Sequence, residues 1–173
     1  YIEREKAACE RAKAKLGYQH LVYLDLPDEK LDESQIRLIV PIEETVEKVS
    51  PDLVYLNHRG DNHQDHRAVF DAARVALRPA ATPYVRRLLC YEVPSSTEQS
   101  PPLPESAFIP NCWIDIEPWL TKKMKAFACY TTEMRRFPHP RSEEGVRVLA
   151  KHRGIQSGLR AAEAFTILRD IDV

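Results

Sequence analysis

The feature that most constrains this chain is a recurring unit: a short apolar run, a polar turn, then a longer stretch of helix-forming residues with apolar positions on one side. Its clearest instance begins at Ser50-Pro51. Asp52-Leu53-Val54-Tyr55-Leu56 reads as a buried strand, Asn57–Gln64 as a polar loop, and Asp65–Leu77 as a helix with Val69, Ala72, Ala73, Ala76 and Leu77 on one side. Pro79 closes that helix. His20–Leu24, ended by Asp25-Leu26-Pro27-Asp28, predicts an earlier strand, and Arg87–Val93 and Cys112–Ile116 predict later ones. Helices are expected at 3–16 with Gly17 as a stop, from Asp32 to Val49, at 118–129, and at 142–152 with Gly154 as a stop. Pro41 marks either a kink in the second helix or its first turn. The stretch Ala161–Leu168 fits a helix or a final strand equally well. Residues 94–110 carry five prolines (94, 101, 102, 104 and 110), which predicts a surface loop bordering a substrate cleft. Strands alternating with helices imply an α/β fold built on a mostly parallel sheet flanked by helices. With 173 residues, the chain is read as a single domain, 1–173.

Charge excludes one class of partner. The 25 basic and 26 acidic residues leave a formal net charge of -1, without the basic excess of a nucleic-acid-binding surface. Lys122-Lys123 and Arg135-Arg136 read as solvated surface. No apolar stretch reaches the roughly 18 residues needed for a transmembrane segment, and the charged start Tyr1-Ile2-Glu3-Arg4-Glu5-Lys6 is not a signal peptide. Cys9, Cys90, Cys112 and Cys129 stand far apart and form no CxxC pair, which favours free buried thiols and a cytoplasmic location. The chain opens with Tyr1 inside a helical pattern, so it is read as a fragment. Nothing in the sequence sets the oligomeric state, and a homo-oligomer is allowed.

Asp61-Asn62-His63-Gln64-Asp65-His66 is the cluster that carries chemistry. It falls where a strand ends and a helix begins, the position at which open α/β sheets place ligands. His66, in the first helical turn, is disfavoured as imidazolium by the helix dipole, so its neutral ring keeps a lone pair for a metal. His63, in the loop, is better placed to reach a substrate oxygen. A carboxylate between two imidazoles can ligate a metal or hold a neighbouring ring in one tautomer. The alternative is that Asp65 only caps the helix while both histidines are surface residues. Two ligands do not complete a zinc site, and His20, His58, His139 and His152 form no second motif.

The same cluster, read as Gly60-Asp61-Asn62-His63-Gln64-Asp65-His66-Arg67-Ala68-Val69, resembles the second conserved block of the LmbE-like N-deacetylases, which include the N-acetylglucosaminyl-phosphatidylinositol de-N-acetylases of the PIG-L type. Further matches follow in order: Tyr91-Glu92-Val93-Pro94-Ser95-Ser96, Phe108-Ile109-Pro110-Asn111, Ile114-Asp115-Ile116, then Lys123, Ala126, Phe127 and Tyr130, then Arg153-Gly154 and Ala162-Glu163-Ala164-Phe165. Leu26-Pro27-Asp28 also fits. The resemblance implies a Rossmann-like fold, a mononuclear zinc and a small-molecule amino-sugar substrate. It assigns zinc binding to His66, oxyanion stabilisation to His63 with Asp65 orienting its ring, and substrate binding to Asp61, Arg67 and Tyr130. For Asp61 and Arg67, support of the loop is the alternative. The family's first block, His-Pro-Asp-Asp, supplies a zinc-binding His, a zinc-binding Asp and the general base, and it does not occur here. The resemblance therefore places the remaining zinc ligands upstream of Tyr1, with the first strand missing. A second departure is Glu133, where the family often has Gln.

The function implied is zinc-dependent hydrolysis of an N-acetyl group on an amino sugar or glycoconjugate. The alternatives are an amidase acting on a non-sugar acetamide, and a metal-free binding protein or inactive remnant of the same fold. No nucleic acid is expected as a partner.

Overall fold

The computed structural model describes residues 2–172. In chain order its elements are α1 (Ile2–Leu16), α2 (Ile36–Val49), β1 (Leu53–Asn57), α3 (Gln64–Ala76), β2 (Arg87–Tyr91), β3 (Cys112–Asp115), α4 (Leu120–Phe127), α5 (Glu143–Ser157) and β4 (Ala162–Asp170). The sheet is four-stranded, in the order β1-β2-β4-β3. β1 and β2 run parallel, with Leu53 opposite Arg87 and Asn57 opposite Tyr91. β4 then returns antiparallel to β2, with an irregularity in register between Leu88 and Leu89. The sheet thus begins parallel, as the strand–helix alternation predicts, and continues with an antiparallel member. The open choice at Ala161–Leu168 resolves as a strand.

The chain divides into two compact units, Leu24–Cys112 with Ala164–Val173, and Tyr1–Tyr23 with Trp113–Glu163. In the first, Leu56, Leu88 and Cys90 from the strands meet Phe70, Ala73 and Leu77 around α3, with Val46 from α2 and Val85. α3 buries Ala68, Ala72, Ala73 and Ala76, and side chains this small let a helix lie close to its neighbours. Leu38 of α2 packs against Ala68 and Ala72. Burial pushes the Cys90 thiol up to about 12, so this cysteine behaves as a small core hydrophobe. In the second unit α1 buries Ala8 and Ala12, one helical turn apart, and α4 buries Met124 and Ala126. Ile116, Ala150 and Ala161 form a separate small cluster there.

Two expectations are corrected and one is narrowed. Residues 20–24 form no strand. A strand needs a ladder partner, and among the described residues no strand pairs with them; instead the Tyr18 and Tyr23 hydroxyls donate to the carbonyls of Cys9 and Lys6 on α1. Of the two alternatives at Pro41, a start there is excluded: α2 runs through the proline, with buried Leu38 and Val46 on either side. α5 passes through Gly154 and stops at Gly158, whose φ of +74° is the left-handed conformation that terminates helices without a Cβ penalty. The start of α5 is capped by Ser142, whose Oγ accepts from the Gly145 N–H at 2.9 Å. Residues 94–110 are irregular, as their prolines predict, apart from one 3-10 turn at Thr97–Gln99. No helix among the described residues is long and apolar enough to cross a membrane.

Candidate functional site

β1 delivers the chain to a turn that folds back on itself before α3 begins. Asn57, the last residue of β1, is buried, and its amide donates to the carbonyls of His66 at 2.8 Å and His58 at 3.2 Å, tying the strand end to the first turn of the helix. Gly60 sits where no side chain fits: a Cβ would lie 2.4 Å from the carbonyl oxygen of Ser106 and 2.6 Å from its Cα. That close approach lets the proline-rich segment pack on the turn. Ser100 Oγ donates to the Gly60 carbonyl, and His58 Nε2 lies 3.1 Å from the Ser106 carbonyl oxygen.

Asp61 is the hub. It is only 1% exposed, so its carboxylate depends on protein donors. Oδ1 accepts from the His63 backbone N–H at 2.9 Å and from the Ser96 hydroxyl, and Oδ2 accepts from Thr97 Oγ1 at 3.0 Å. Nδ1 of His66 is 3.0 Å from Oδ1. Its N–H does not point straight at that oxygen and finds no better partner. Burial pushes the Asp61 carboxyl up, but hydrogen bonding from His66, Ser96 and the His63 backbone outweighs it and holds the group at about 2. A carboxylate is acceptor-only, so the facing Nδ1 of His66 carries the hydrogen and Nε2 keeps the lone pair.

His63 is the N-cap of α3: its Nδ1 accepts from the Asp65 N–H at 3.2 Å. An accepting Nδ1 leaves the hydrogen on Nε2, so the ring presents an N–H donor on its far side without needing to be protonated. The His63 and His66 rings stack, with centroids 4.8 Å apart and planes 24° apart.

Each sequence-predicted residue can now be placed. His63, Asp65, His66, Asp61 and Arg67 come together at the β1–α3 junction. The family resemblance gives Asp61 to the substrate, but the residue is buried with both oxygens engaged by protein groups, so loop support and ring orientation are its structural roles. The sequence reading has Asp65 orienting the His63 ring with its carboxylate, or capping α3. Instead its oxygens accept from the backbone N–H groups of Glu29 at 2.7 Å and Leu31 at 3.0 Å, and only its own N–H reaches His63. The cap is thus His63 rather than Asp65, with a side-chain nitrogen of His63 accepting from an amide of the first turn. Arg67 braces the turn through Nη1, which donates to the carbonyls of Asp61 at 2.9 Å and Asn62 at 2.8 Å. Tyr130 belongs to the other unit, where its hydroxyl donates to Cys9 Sγ at 3.6 Å. Burial, then the Cys9 contact, raises its phenol above the ordinary value. Glu133 pairs with Arg141, so the charge that departs from the family's usual Gln is neutralised locally. Sequence reasoning misses Asn57, Ser96 and Thr97 as parts of this site. Hydroxyls in a polar loop carry no spacing signal, and only the fold reveals that two of them face a buried carboxylate.

Among the described residues no group of three or more His, Cys, Asp and Glu is arranged to hold a metal. The donor chemistry fits one coordination position: His66, with its ring backed by a carboxylate as metal-binding histidines are.

The family model PIG-L, GlcNAc-PI de-N-acetylase, matches residues 1–77. No curated protein matches the chain. Among solved structures, the conserved protein TT1542 from Thermus thermophilus superposes with a TM-score of 0.78 at 20% identity, covering 100% of this chain and 76% of that one. GalB, the 4-carboxy-2-hydroxymuconate hydratase from Pseudomonas putida KT2440, superposes with a TM-score of 0.76 at 17% identity, covering 99% of this chain and 73% of that one. At such identities these two likenesses establish a shared fold, and activity does not transfer with it. Over residues 1–77, which include the whole Asp61–His66 cluster, the chain is similar to the PIG-L family of GlcNAc-PI de-N-acetylases.

Proposed function

We propose that the β1–α3 junction is the site of metal-assisted hydrolysis of an N-acetyl group on an amino sugar or glycoconjugate. The observation that carries the reading is the buried Asp61 carboxylate facing Nδ1 of His66, which leaves Nε2 as a lone-pair donor. His66 would hold one position of a zinc ion, and the other positions fall to water, substrate or donors outside this cluster. The ion, when bound, supplies Lewis-acid polarisation of the amide and of the attacking water. The chain's own residues do the rest. Asp61 holds the His66 ring. His63, fixed by its capping bond to Asp65 N–H, directs its Nε2–H at the acyl oxygen as negative charge develops there. Arg67, at the start of α3, is the proposed substrate contact, its Nη1 anchored on the turn.

Zinc titration of the purified chain, with assay of amine released from N-acetylglucosamine conjugates and from simple acetamides, tests the proposal. Zinc-dependent release favouring the sugar conjugates is expected. His66→Ala should lose zinc retention, while His63→Ala should keep zinc and slow turnover by roughly 10²-fold or more. Unchanged zinc content in the His66 variant overturns the assignment. Absence of a three-donor cluster among the described residues favours a second reading, a binding protein of the same fold. Amino-sugar binding with neither zinc uptake nor amine release would establish it.

A further inference from the structure

The proline-rich segment does more than border the site. Ser96 and Thr97 are both buried and both face the Asp61 carboxylate. The Thr97 hydroxyl has its polarity set from behind: the Val93 N–H donates to Oγ1 at 2.8 Å, so its own hydrogen goes forward to Asp61 Oδ2. Ser96 is tied twice, by its hydroxyl to Asp61 and by its carbonyl, which accepts from the Asn62 N–H at 3.3 Å. Ser95, immediately before, holds φ at +68°, a conformation that is costly for a residue with a Cβ. The segment accepts that cost at the residue that brings Ser96 onto the carboxylate.

A carboxylate offers about four acceptor positions. Here Oδ1 takes the Ser96 hydroxyl and the His63 backbone N–H and also faces His66, while Oδ2 takes the Thr97 hydroxyl. Since the His66 N–H meets Oδ1 off its axis, the ring's alignment is sensitive to small rotations of the carboxylate. Asp61 is nearly inaccessible to solvent, so its orientation depends on these protein donors. The hydroxyls therefore set the carboxylate plane, and the plane sets the ring.

We propose that Ser96 and Thr97 are positioning residues. Through Asp61 they hold His66 in its Nδ1-protonated form and fix the direction of its Nε2 lone pair. The consequence for catalysis rests on the deacetylase reading above, but the hydrogen-bonding claim does not.

Long-range proton–nitrogen spectra of the metal-free protein, with the His66 ring assigned by loss of its signals in His66→Asn, test the claim directly. Wild-type protein is expected to show the Nδ1–H tautomer at His66. Ser96→Ala with Thr97→Val should shift it to a mixture of tautomers and weaken zinc binding about 10-fold or more, as loss of outer-shell partners does. Ser96→Thr, which keeps the hydroxyl, should restore both. If the double variant does not fold, Ser96→Ala alone should still show the mixture. A wild-type Nε2–H tautomer, an unchanged spectrum in Ser96→Ala, or a Ser96→Thr variant that behaves like alanine overturns the proposal. Wild-type protein that shows the expected tautomer but takes up no zinc overturns the deacetylase reading and leaves the positioning role standing.

Discussion

The two polar clusters around Asp61 and Tyr130, one in each unit, meet the same physical problem and solve it in opposite ways. Burial raises the pKa of both acids, because low-polarity surroundings penalise the charged form. At Asp61, hydrogen bonding from His66, Ser96 and the His63 backbone outweighs burial, and the group stays charged at about 2. At Tyr130 the contact is with the Cys9 sulfur, which adds to the effect of burial, and the phenol stays neutral. The surroundings of Tyr130 hold shape: Tyr18 donates to the Cys9 carbonyl, and Arg11 donates to the Cys129 carbonyl at 3.1 Å. The Asp61 cluster holds a charge. Only the latter presents an oriented imidazole, which is why the chemistry is assigned there.

The comparison breaks first at Asp61. Asp61→Asn should cost about 3 kcal/mol, because it turns an acceptor-only group towards donors that then lack a partner. Urea unfolding measures this, and a change under about 0.5 kcal/mol would remove the hub from the account. The pH dependence sharpens the point. The folded carboxyl titrates at about 2 against an ordinary value of 3.8, so its contribution is fully present above about pH 4 and is lost as the pH falls towards 2. Unfolding free energies of wild-type and Asp61→Asn protein should therefore converge in that window. Gly60→Ala comes next, at about 2 kcal/mol, since the added methyl meets backbone atoms of Ser106 that cannot yield without moving the proline-rich segment. In the other unit, Ser142→Ala removes an N-cap from α5 and should cost about 1 kcal/mol. Tyr130→Phe should cost least, under about 1 kcal/mol, because a hydroxyl donating to sulfur at 3.6 Å is a weak bond. A loss at Tyr130 comparable to that at Asp61 would erase the contrast.

Much of the fold is legible in the sequence because periodicity and punctuation report it locally. β1, α3, β2 and β3 lie within a residue or two of expectation, and the irregularity of 94–110 follows from its prolines. Residues 20–24 mislead because an apolar run states what a segment prefers and not whether a strand lies beside it. Gly154 looks like a stop and is not, because its φ, unlike that of Gly158, is not positive, which the sequence does not reveal. At the site, the histidines and Asp61 are visible as a cluster, yet their roles depend on directions. Spacing alone draws Asp65 towards His63, whereas its carboxylate is turned to residues 34 and 36 positions earlier. Ser96 and Thr97 lie 35 and 36 positions from Asp61 and cannot be joined to it without the fold.

The grip of Asp65 on the Glu29 and Leu31 amides has a consequence for solvent exchange. The stretch from Gly17 to Lys30 has no regular structure, and most of its amides should trade hydrogen for deuterium quickly. Glu29 and Leu31 should stand out as slow exchangers at its end, their lifetimes tracking the opening of the first turn of α3. They serve as natural reporters of that helix start, readable without a label, a ligand or an activity assay.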